Sequence, residues 1–173
     1  MKKTTSVILL GSSNSQGDTY RVSKMVSTLL NNKIIDLKPL NIADFDYEFK
    51  NQEDDFFPLM QQLIAQHDIF IFATPVYWYT MSATLKRFLD RFSDLLKIHP
   101  ETGRKLKGKK MAVISCGSDK VLKEGFHMPF KETANYLHMV YIGDVHTWCC
   151  AHNIDDEVKD RLQNFTQIIG GLE

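Results

Sequence analysis

The segment DIFIFATP, from Asp68 to Pro75, constrains the fold more than any other stretch of this sequence. Its residues are nearly all apolar, which is the pattern of a strand covered on both faces, as in a parallel sheet between helices. Four further apolar runs predict strands, at Ser6–Leu10, Lys33–Leu37, Met111–Gly117 and Met139–Trp148. Because parallel strands are joined by crossover connections, the sequence predicts an α/β fold with helices on both faces of one sheet.

Apolar residues at helical spacing separate the predicted strands. The predicted helices cover Asp18–Leu30, Asp54–His67, Met81–Leu96, Pro129–Leu137 and Val158–Ile169. We expect an aspartate to cap the second helix, which has Pro58 in its first turn, and Asp155 or Asp156 to cap the last. No linker or repeat interrupts this alternation, so residues 1–173 are predicted to form a single domain.

Charge and composition exclude several classes of protein. The 21 lysines and arginines balance the 21 aspartates and glutamates. This balance removes the electrostatic argument for a nucleic-acid or membrane partner. The apolar run near the N-terminus is too short for a signal peptide, which needs roughly 7–15 apolar residues. Three cysteines, Cys116, Cys149 and Cys150, form no disulfide framework. We therefore expect a cytoplasmic protein.

The loop after the first strand, GSSNSQGDT, combines small residues with neutral hydrogen-bond donors. Such a loop at a helix N-terminus suits a phosphate, because backbone N–H groups and hydroxyls can close around the anion. The loop lacks both the Gly-Lys-Ser/Thr ending of a nucleotide-binding loop and the spacing G-x-G-x-x-G. It is therefore predicted to bind one terminal phosphate, and the alternative is an ordinary solvated connection.

Three consecutive aromatic residues, Tyr77, Trp78 and Tyr79, follow the third strand. They cannot all face the interior from one short loop, and a flat apolar ligand would bury them in stacking geometry. The alternative is a protein interface, or a loop packed on the next helix. In a parallel sheet, ligands bind beyond the carboxyl ends of the strands. The two neighbouring loops therefore indicate a planar cofactor with a phosphate tail.

GSSNSQGDT and TPVYWYTMSATLKRFLDR together resemble the NAD(P)H-dependent FMN reductase group of flavodoxin-like proteins. The resemblance runs from the first strand through the fourth. It implies a flavodoxin-like three-layer sandwich with sheet order 2-1-3-4-5 and noncovalently bound FMN. It implies that the FMN phosphate is surrounded by Ser12, Asn14, Ser15, Gly17, Asp18 and Thr19. It implies that the ring runs along Pro75, Val76, Tyr77 and Trp78, and that its other edge is flanked by Ser115, Cys116, Gly117, Ser118 and Asp119.

The same resemblance implies an enzyme that takes a hydride from NAD(P)H onto FMN and passes electrons to a small acceptor. That acceptor could be a quinone, an azo or nitro compound, or free flavin, with Trp78 and Tyr79 as walls of its pocket. The cofactor carries this chemistry, so no catalytic side chain is expected. Relatives are commonly dimers, so a homodimer is expected. The alternatives are a flavodoxin-type electron carrier without its own NAD(P)H step, and a domain that has kept the fold without flavin.

The sequence departs from the family pattern in its first loop. Many relatives carry a basic residue near position 14, where this chain has Asn14. Asp18 adds a negative charge near the phosphate, so we expect it to cap the helix, with Arg21 offsetting its charge. Related iron–sulfur flavoproteins carry a cysteine cluster between strands two and three, and residues 38–67 contain no cysteine. No cluster is therefore predicted.

Two further motifs have competing interpretations. HTWCCAH, from His146 to His152, holds metal-binding residue types, but adjacent cysteines rarely both reach one ion, so no metal site is predicted. The basic segment GRKLKGKK, from Gly103 to Lys110, is interpreted as a solvated turn, with attraction of the NADPH pyrophosphate as the alternative. His127 lies in the loop after strand four, where substrate could pass.

Overall fold

The computed structural model describes residues 5–149 and 154–172, which form one five-stranded parallel sheet flanked by helices. The strands are β1 Ser6–Leu10, β2 Lys33–Asp36, β3 Ile69–Pro75, β4 Lys110–Gly117 and β5 Val140–Trp148. Their spatial order is β2-β1-β3-β4-β5, and every neighbouring pair is parallel. The predicted flavodoxin-like fold and strand order are thereby confirmed.

Seven α-helices connect or follow these strands in the described part of the chain. They are α1 Asp18–Leu30, α2 Phe56–Gln66, α3 Ala83–Asp90, α4 Phe92–Lys97, α5 Pro100–Gly103, α6 Met128–Tyr136 and α7 Asp156–Gly170. Among residues 5–149 and 154–172, no helix combines the length and apolar character needed to cross a bilayer.

The alternation of side chains along each strand divides the core into two halves. Val7 and Leu9 pack on one side with buried residues of α2, α3, α4 and α6. Ile8 and Leu10 pack on the other side with buried residues of α1 and α7. All of β3 is buried, as its apolar sequence predicts for a central strand covered on both faces.

The helix predicted over Met81–Leu96 is divided in two at Arg91, so that prediction is wrong in detail. Arg91 is almost fully buried, and its guanidinium bonds Asp54 and Asp94. It also donates to the backbone carbonyls of Ala43 and Asn51, at 3.1 and 2.7 Å. Arg91 thus fastens the irregular segment 38–55 to the junction between α3 and α4.

The start of α3 positions the loop after β1. Ser82 is the N-cap residue; its hydroxyl accepts a hydrogen bond from the Leu85 N–H at 3.1 Å and donates to the Gly11 carbonyl. A Cβ atom at Gly11 would lie 2.5 Å from the Cβ of Leu85. Glycine at position 11 therefore permits α3 to approach the end of β1.

The caps of the other helices agree only partly with the predictions. Asp155 caps α7, accepting a hydrogen bond from the Val158 N–H at 2.9 Å, as predicted. Asp55 occupies the N-cap position of α2 without a side-chain cap bond. The N-cap residue of α1 is Gly17, so the prediction that Asp18 caps this helix is wrong. Asp18 is the first helical residue, where a carboxylate still interacts favourably with the helix dipole.

A β-bulge interrupts the outer strand β5. Met111 pairs with Tyr141 and the next residue, Ala112, pairs with Gly143, so β5 carries one extra residue between these pairs. Gly143 has a φ of 140°, a conformation that favours glycine. The bulge therefore depends on the glycine at this position.

Candidate functional site

Two adjoining cavities open at the carboxyl ends of the strands, where the fold places ligands. The first cavity has a volume of about 360 Å³ and lies among the segments that follow β1, β3, β4 and β5. Its lining residues are Ser12, Asn14, Gly17, Asp18, Thr19, Pro75, Val76, Tyr77, Cys116, Gly117, Ser118 and Cys149. Loops that are distant in the sequence therefore form one binding wall.

The loop after β1 is folded tightly on itself by short-range hydrogen bonds. The Ser12 hydroxyl accepts from the Asn14 N–H at 3.1 Å, and the Asn14 side-chain oxygen accepts from the Gln16 N–H at 3.1 Å. The Gly17 N–H donates to the Asn14 carbonyl at 3.3 Å. A Cβ atom at Gly17 would lie only 3.1 Å from the Asn14 side-chain nitrogen. Glycine at position 17 therefore lets the loop close against the start of α1.

The start of α1 adds a partial positive charge to this cavity, because the first N–H groups of a helix have no partner within the helix. No side chain caps the helix at Gly17. Arg21 lies 3.9 Å from the Asp18 carboxylate, so the charges of these two side chains largely offset each other. Neutral donors consequently dominate the wall.

The aromatic segment after β3 forms a tight two-residue turn. The Tyr77 N–H donates to the Thr80 carbonyl at 3.0 Å, and the Thr80 N–H donates to the Tyr77 carbonyl at 3.1 Å. The two central residues, Trp78 and Tyr79, have φ of 46° and 66°. This is the pattern of a type I′ turn, which favours asparagine and glycine, so bulky residues here store conformational strain.

The turn displays its aromatic rings instead of burying them. Trp78 is 91% exposed, and Tyr77 and Tyr79 are exposed to a smaller extent. The Tyr77 hydroxyl lies 2.6 Å from that of Ser13, which joins this turn to the loop after β1. The turn therefore presents a flat apolar surface at a fixed position beside the first cavity.

The second cavity, of about 220 Å³, adjoins the first. Its lining residues are Val76, Trp78, Tyr79, Gly117, Ser118, Asp119, Val121, Leu122, Lys123 and His146. The two cavities share Val76, Gly117 and Ser118. A Cβ atom at Gly117 would lie 3.3 Å from the Val76 Cβ, so a larger residue at position 117 would narrow the passage between them.

His146 is a site residue that the sequence pattern does not indicate. Its Nε2 lies 2.8 Å from the Asp119 carbonyl, and its Nδ1 lies 2.9 Å from the Ser115 hydroxyl. A carbonyl can only accept, so Nε2 carries the proton and Nδ1 accepts from Ser115. Burial lowers the pKa of His146 and favours this neutral form. His146 thereby holds the loop after β4 in place as a wall of the second cavity.

The structure brings most of the predicted cofactor residues to the two cavities. The first cavity includes Ser12, Asn14, Gly17, Asp18, Thr19, Pro75, Val76, Tyr77, Cys116, Gly117 and Ser118. Trp78 and Asp119 line the second cavity, as does Tyr79. Ser15 instead lines a groove beside β2, and Ser115 is fully buried beneath the wall. Direct roles of all these residues in holding FMN stay predictions.

The basic segment and His127, which both had competing interpretations, lie away from the two cavities. The basic segment 103–110 leads into β4 at the amino ends of the strands, whereas the cavities open at the carboxyl ends, so it does not face a pyrophosphate bound there. It begins at the last residue of α5 and continues as a 3₁₀ turn at Arg104–Leu106, and Arg104, Lys105 and Lys107 are exposed, as predicted for a solvated turn. His127 lies 3.4 Å from the Asp144 carboxylate and lines neither cavity.

The first cavity also holds two thiols. The Sγ atoms of Cys116 and Cys149 lie 3.9 Å apart. Burial raises the pKa of both thiols, that of Cys149 to about 12. Within residues 5–149 and 154–172, no three His, Cys, Asp or Glu side chains converge closely enough to hold a metal ion. Cys150 and His152 of the motif HTWCCAH lie outside the described residues.

The chain is similar to known flavoproteins in sequence and fold. It is 33% identical over 101 residues to YwqN of Bacillus subtilis (strain 168), provisionally named an NAD(P)H-dependent FMN-containing oxidoreductase. That match covers 56% of this chain and 55% of YwqN, so the chain matches only about half the length of this relative.

Solved structures share the whole fold at lower identity. The Trp repressor binding protein from Bacillus subtilis superposes with a TM-score of 0.75 at 22% identity, over 95% of this chain and 97% of that one. General stress protein 14 from Treponema denticola, solved in complex with FMN, superposes with a TM-score of 0.69 at 21% identity, over 99% of this chain and 100% of that one. The model of the NADPH-dependent FMN reductase family matches residues 4–152. The chain therefore belongs to the NADPH-dependent FMN reductase family, whose cofactors are FMN and NAD(P)H.

Proposed function

We propose that this protein is an FMN-dependent oxidoreductase that oxidises NAD(P)H and reduces a small, flat acceptor. One observation carries the proposal: a cavity walled by neutral donors adjoins, through Val76 and Gly117, a second cavity walled by aromatic rings. A phosphate-tailed ring and a second ring stacked on it need two connected spaces of this kind.

The first cavity suits FMN because its features match the two ends of that molecule. Ser12, Asn14 and Thr19 stand beside the first turn of α1, where backbone N–H groups and hydroxyls attract one phosphate. Pro75 and Val76 supply an apolar edge for the flavin ring. The Val76 N–H donates to the Cys116 carbonyl at 2.8 Å, which holds the ends of β3 and β4 together at this wall of the cavity.

The second cavity suits the nicotinamide and, after it leaves, the acceptor. Trp78 and Tyr79 offer exposed rings on which a planar group can stack, and such contacts contribute about 0.5–1.5 kcal/mol beyond area burial. Lys123 adds a positive charge at the wall, suited to the phosphates of NAD(P)H or an anionic acceptor. The acceptor classes proposed are quinones, azo and nitro compounds, and free flavin.

When bound, FMN would supply the hydride chemistry between NAD(P)H and the acceptor. The protein's own contribution is positioning. The loop after β1 would anchor the phosphate. The Ser13–Tyr77 bond fixes the aromatic turn, and His146 holds the loop after β4 through the Asp119 carbonyl. Val76, which lines both cavities, would exclude water from the space where the two rings would meet.

The test is to purify the protein, record absorbance at about 450 nm, and add NADPH and then NADH without oxygen. We expect a flavin band that either donor bleaches and that a quinone or azo dye restores. Colourless protein that fails to bind added FMN would overturn the proposal. Flavin that NAD(P)H bleaches only slowly would favour the electron carrier instead. We further propose that the protein works in the cytoplasm and that it forms a homodimer. Sedimentation would test the homodimer.

A further inference from the structure

Cys116 and Cys149 come from neighbouring strands and meet at the first cavity. Cys116 is the penultimate residue of β4, and Cys149 directly follows β5. The Cys149 N–H donates to the Gly117 carbonyl at 3.4 Å, so the backbones beside the two thiols are held together. Both side chains line the cavity; Cys116 is nearly buried and Cys149 is partly accessible.

The two sulfur atoms are close enough to react with each other after a small movement. They lie 3.9 Å apart, and a disulfide bond is about 2.05 Å long. Turning the two side chains and shifting Cys149, which lies just beyond the end of β5, can supply this difference, because only Cys116 lies within a strand paired on both sides. The pair is therefore positioned for bond formation without breaking the sheet.

We propose that Cys116 and Cys149 form a reversible disulfide that closes only when the first cavity is empty. A low-molecular-weight disulfide is the oxidant. Because its pKa is raised, Cys149 is deprotonated in few molecules at a time, so the step is slow and accelerates with pH. The Cys149 thiolate attacks one sulfur of that reagent and releases the first small thiol, which takes up a proton. The Cys116 sulfur, deprotonated in turn, attacks the Cys149 sulfur of this mixed disulfide. The Cys116–Cys149 bond forms and the second small thiol is released. Two protein thiols lose two electrons, and the reagent gains them.

The cavity connects this modification to binding. The sulfurs share their wall with Asp18 and Thr19 at the start of α1, where the phosphate is proposed to bind. Burial is the main cause of the raised pKa of both thiols; Asp18 raises both pKa values further and Arg21 lowers that of Cys149, so these charges act across the same space. A ligand in the cavity would block the reagent, and a closed disulfide would change the wall that the ligand needs. This second half of the inference rests on the proposed FMN site.

The experiment treats the full-length protein, freed of bound flavin, with oxidised glutathione at mildly alkaline pH. Remaining thiols are then alkylated and tryptic peptides are mapped by mass spectrometry. We expect a crosslink between the peptide containing Cys116 and the peptide containing Cys149, removed again by dithiothreitol. Because Cys150 follows Cys149, the variant C150S is the matched control and should crosslink as the parent does. C149S and C116S should not form this crosslink, and the remaining cysteine of the pair should be free or glutathionylated.

A second arm adds FMN. If closure needs an empty cavity, free FMN at about ten times its Kd slows crosslinking about tenfold. Loss of the crosslink in C150S, or its persistence in C149S, would overturn the assignment of the pair. An unchanged rate in protein saturated with FMN would overturn the exclusion between disulfide and ligand. Failure to bind FMN at all would instead overturn the proposed function, while the crosslink measured without FMN would still decide the thiol pair.

Discussion

The hydroxyl oxygens of Ser13 and Tyr77 lie 2.6 Å apart, so one hydrogen bond joins the loop after β1 to the loop after β3. These residues are 64 positions apart in the sequence, and each belongs to a different half of the candidate site. The bond sets the distance between the loop after β1 and the aromatic turn before any ligand arrives. It therefore contributes preorganisation, which lowers the cost of binding.

Removing this bond should weaken FMN binding. Tyr77→Phe keeps the ring and deletes the hydroxyl, and a hydrogen bond contributes about 0.5–1.5 kcal/mol net, so affinity should fall about two- to tenfold. Flavin fluorescence titration measures the change. Tyr47→Phe is the control, because Tyr47 is an exposed tyrosine that lines neither cavity. Equal affinity in Tyr77→Phe and the parent would show that the bond does not preorganise the site.

Relieving the strain of the aromatic turn should stabilise the protein and lower its activity towards an aromatic acceptor. Asparagine and glycine are the residues that a type I′ turn favours, so Trp78→Asn/Tyr79→Gly should raise stability by about 1 kcal/mol or more. In a chain of this size that corresponds to a rise in Tm of about 2–4 °C. The same variant loses two stacking surfaces, so kcat/KM for an aromatic acceptor should fall.

Thermal melts and steady-state kinetics test this pair of opposite effects. Tyr136→Asn removes an exposed aromatic residue of α6 that lines neither of the two cavities, so it should leave kcat/KM unchanged. A lower Tm in the turn variant would show that the aromatic rings, rather than the backbone, determine the stability of this turn.

Arg91→Met should destabilise the protein strongly. Asp54 and Asp94 are buried, and removing their shared partner leaves both carboxylates without a positive charge beside them, which costs about 3–5 kcal/mol. Arg87→Met is the matched control, because Arg87 pairs with the exposed Asp44 and such a pair contributes about 0–1 kcal/mol. Urea denaturation compares the free energies of unfolding. Similar values for the two variants would contradict a structural role for Arg91.

The same cluster also predicts a pH effect. Burial alone would raise the pKa of Asp54, but hydrogen bonds from Arg91 and from the backbone N–H groups of Ala43 and Phe56 outweigh it, so the pKa is lowered. The ionised Asp54 therefore stabilises the protein above the pKa that this residue has in the unfolded chain. This contribution is lost as the pH falls through the lower pKa of the folded state. In Arg91→Met, acid should cause a smaller further loss of stability, as urea denaturation across acidic pH would show.

His146 predicts a loss of stability at milder acidity. Burial lowers its pKa, so below about pH 6.5 the unfolded chain takes up the proton more readily and the free energy of unfolding falls. Asp119 opposes this shift and Arg161 reinforces it. His146→Gln should reduce the fall between about pH 7 and pH 5 without abolishing it, because burial also lowers the pKa of His67 and His127. An unchanged slope would contradict the neutral form inferred for His146.

The parts of the structure that depend on pattern were predictable from the sequence. The apolar run of β3 indicated a buried central strand, and residues 12–19 and 75–79 indicated which loops would meet. The resemblance supplied the strand order, which apolar periodicity alone does not determine. These predictions succeeded because burial on both faces and loop position at the strand ends leave direct traces in the order of residues.

The errors arise where a partner distant in the sequence decides the local structure. Apolar spacing continues across Arg91, so nothing nearby indicates that Asp54 will hold it and divide the helix. His146 lies within an apolar run, and its role depends on a contact with Asp119 from another loop. Asp18 has the right residue type for a cap, but Gly17, by its close approach to Asn14, takes that position. Such tertiary contacts leave no periodic signal in one sequence.

The bulge at Gly143 has a consequence for how copies of this chain can associate. β5 is an outer strand of nine residues, and a long, flat outer strand invites another chain to continue the sheet. The bulge bends this edge and breaks its regular hydrogen-bonding pattern. Strand-to-strand extension through β5 is thereby discouraged, and a second copy would dock more readily through helices or loops. A single glycine thus helps protect the protein from growing into an intermolecular sheet.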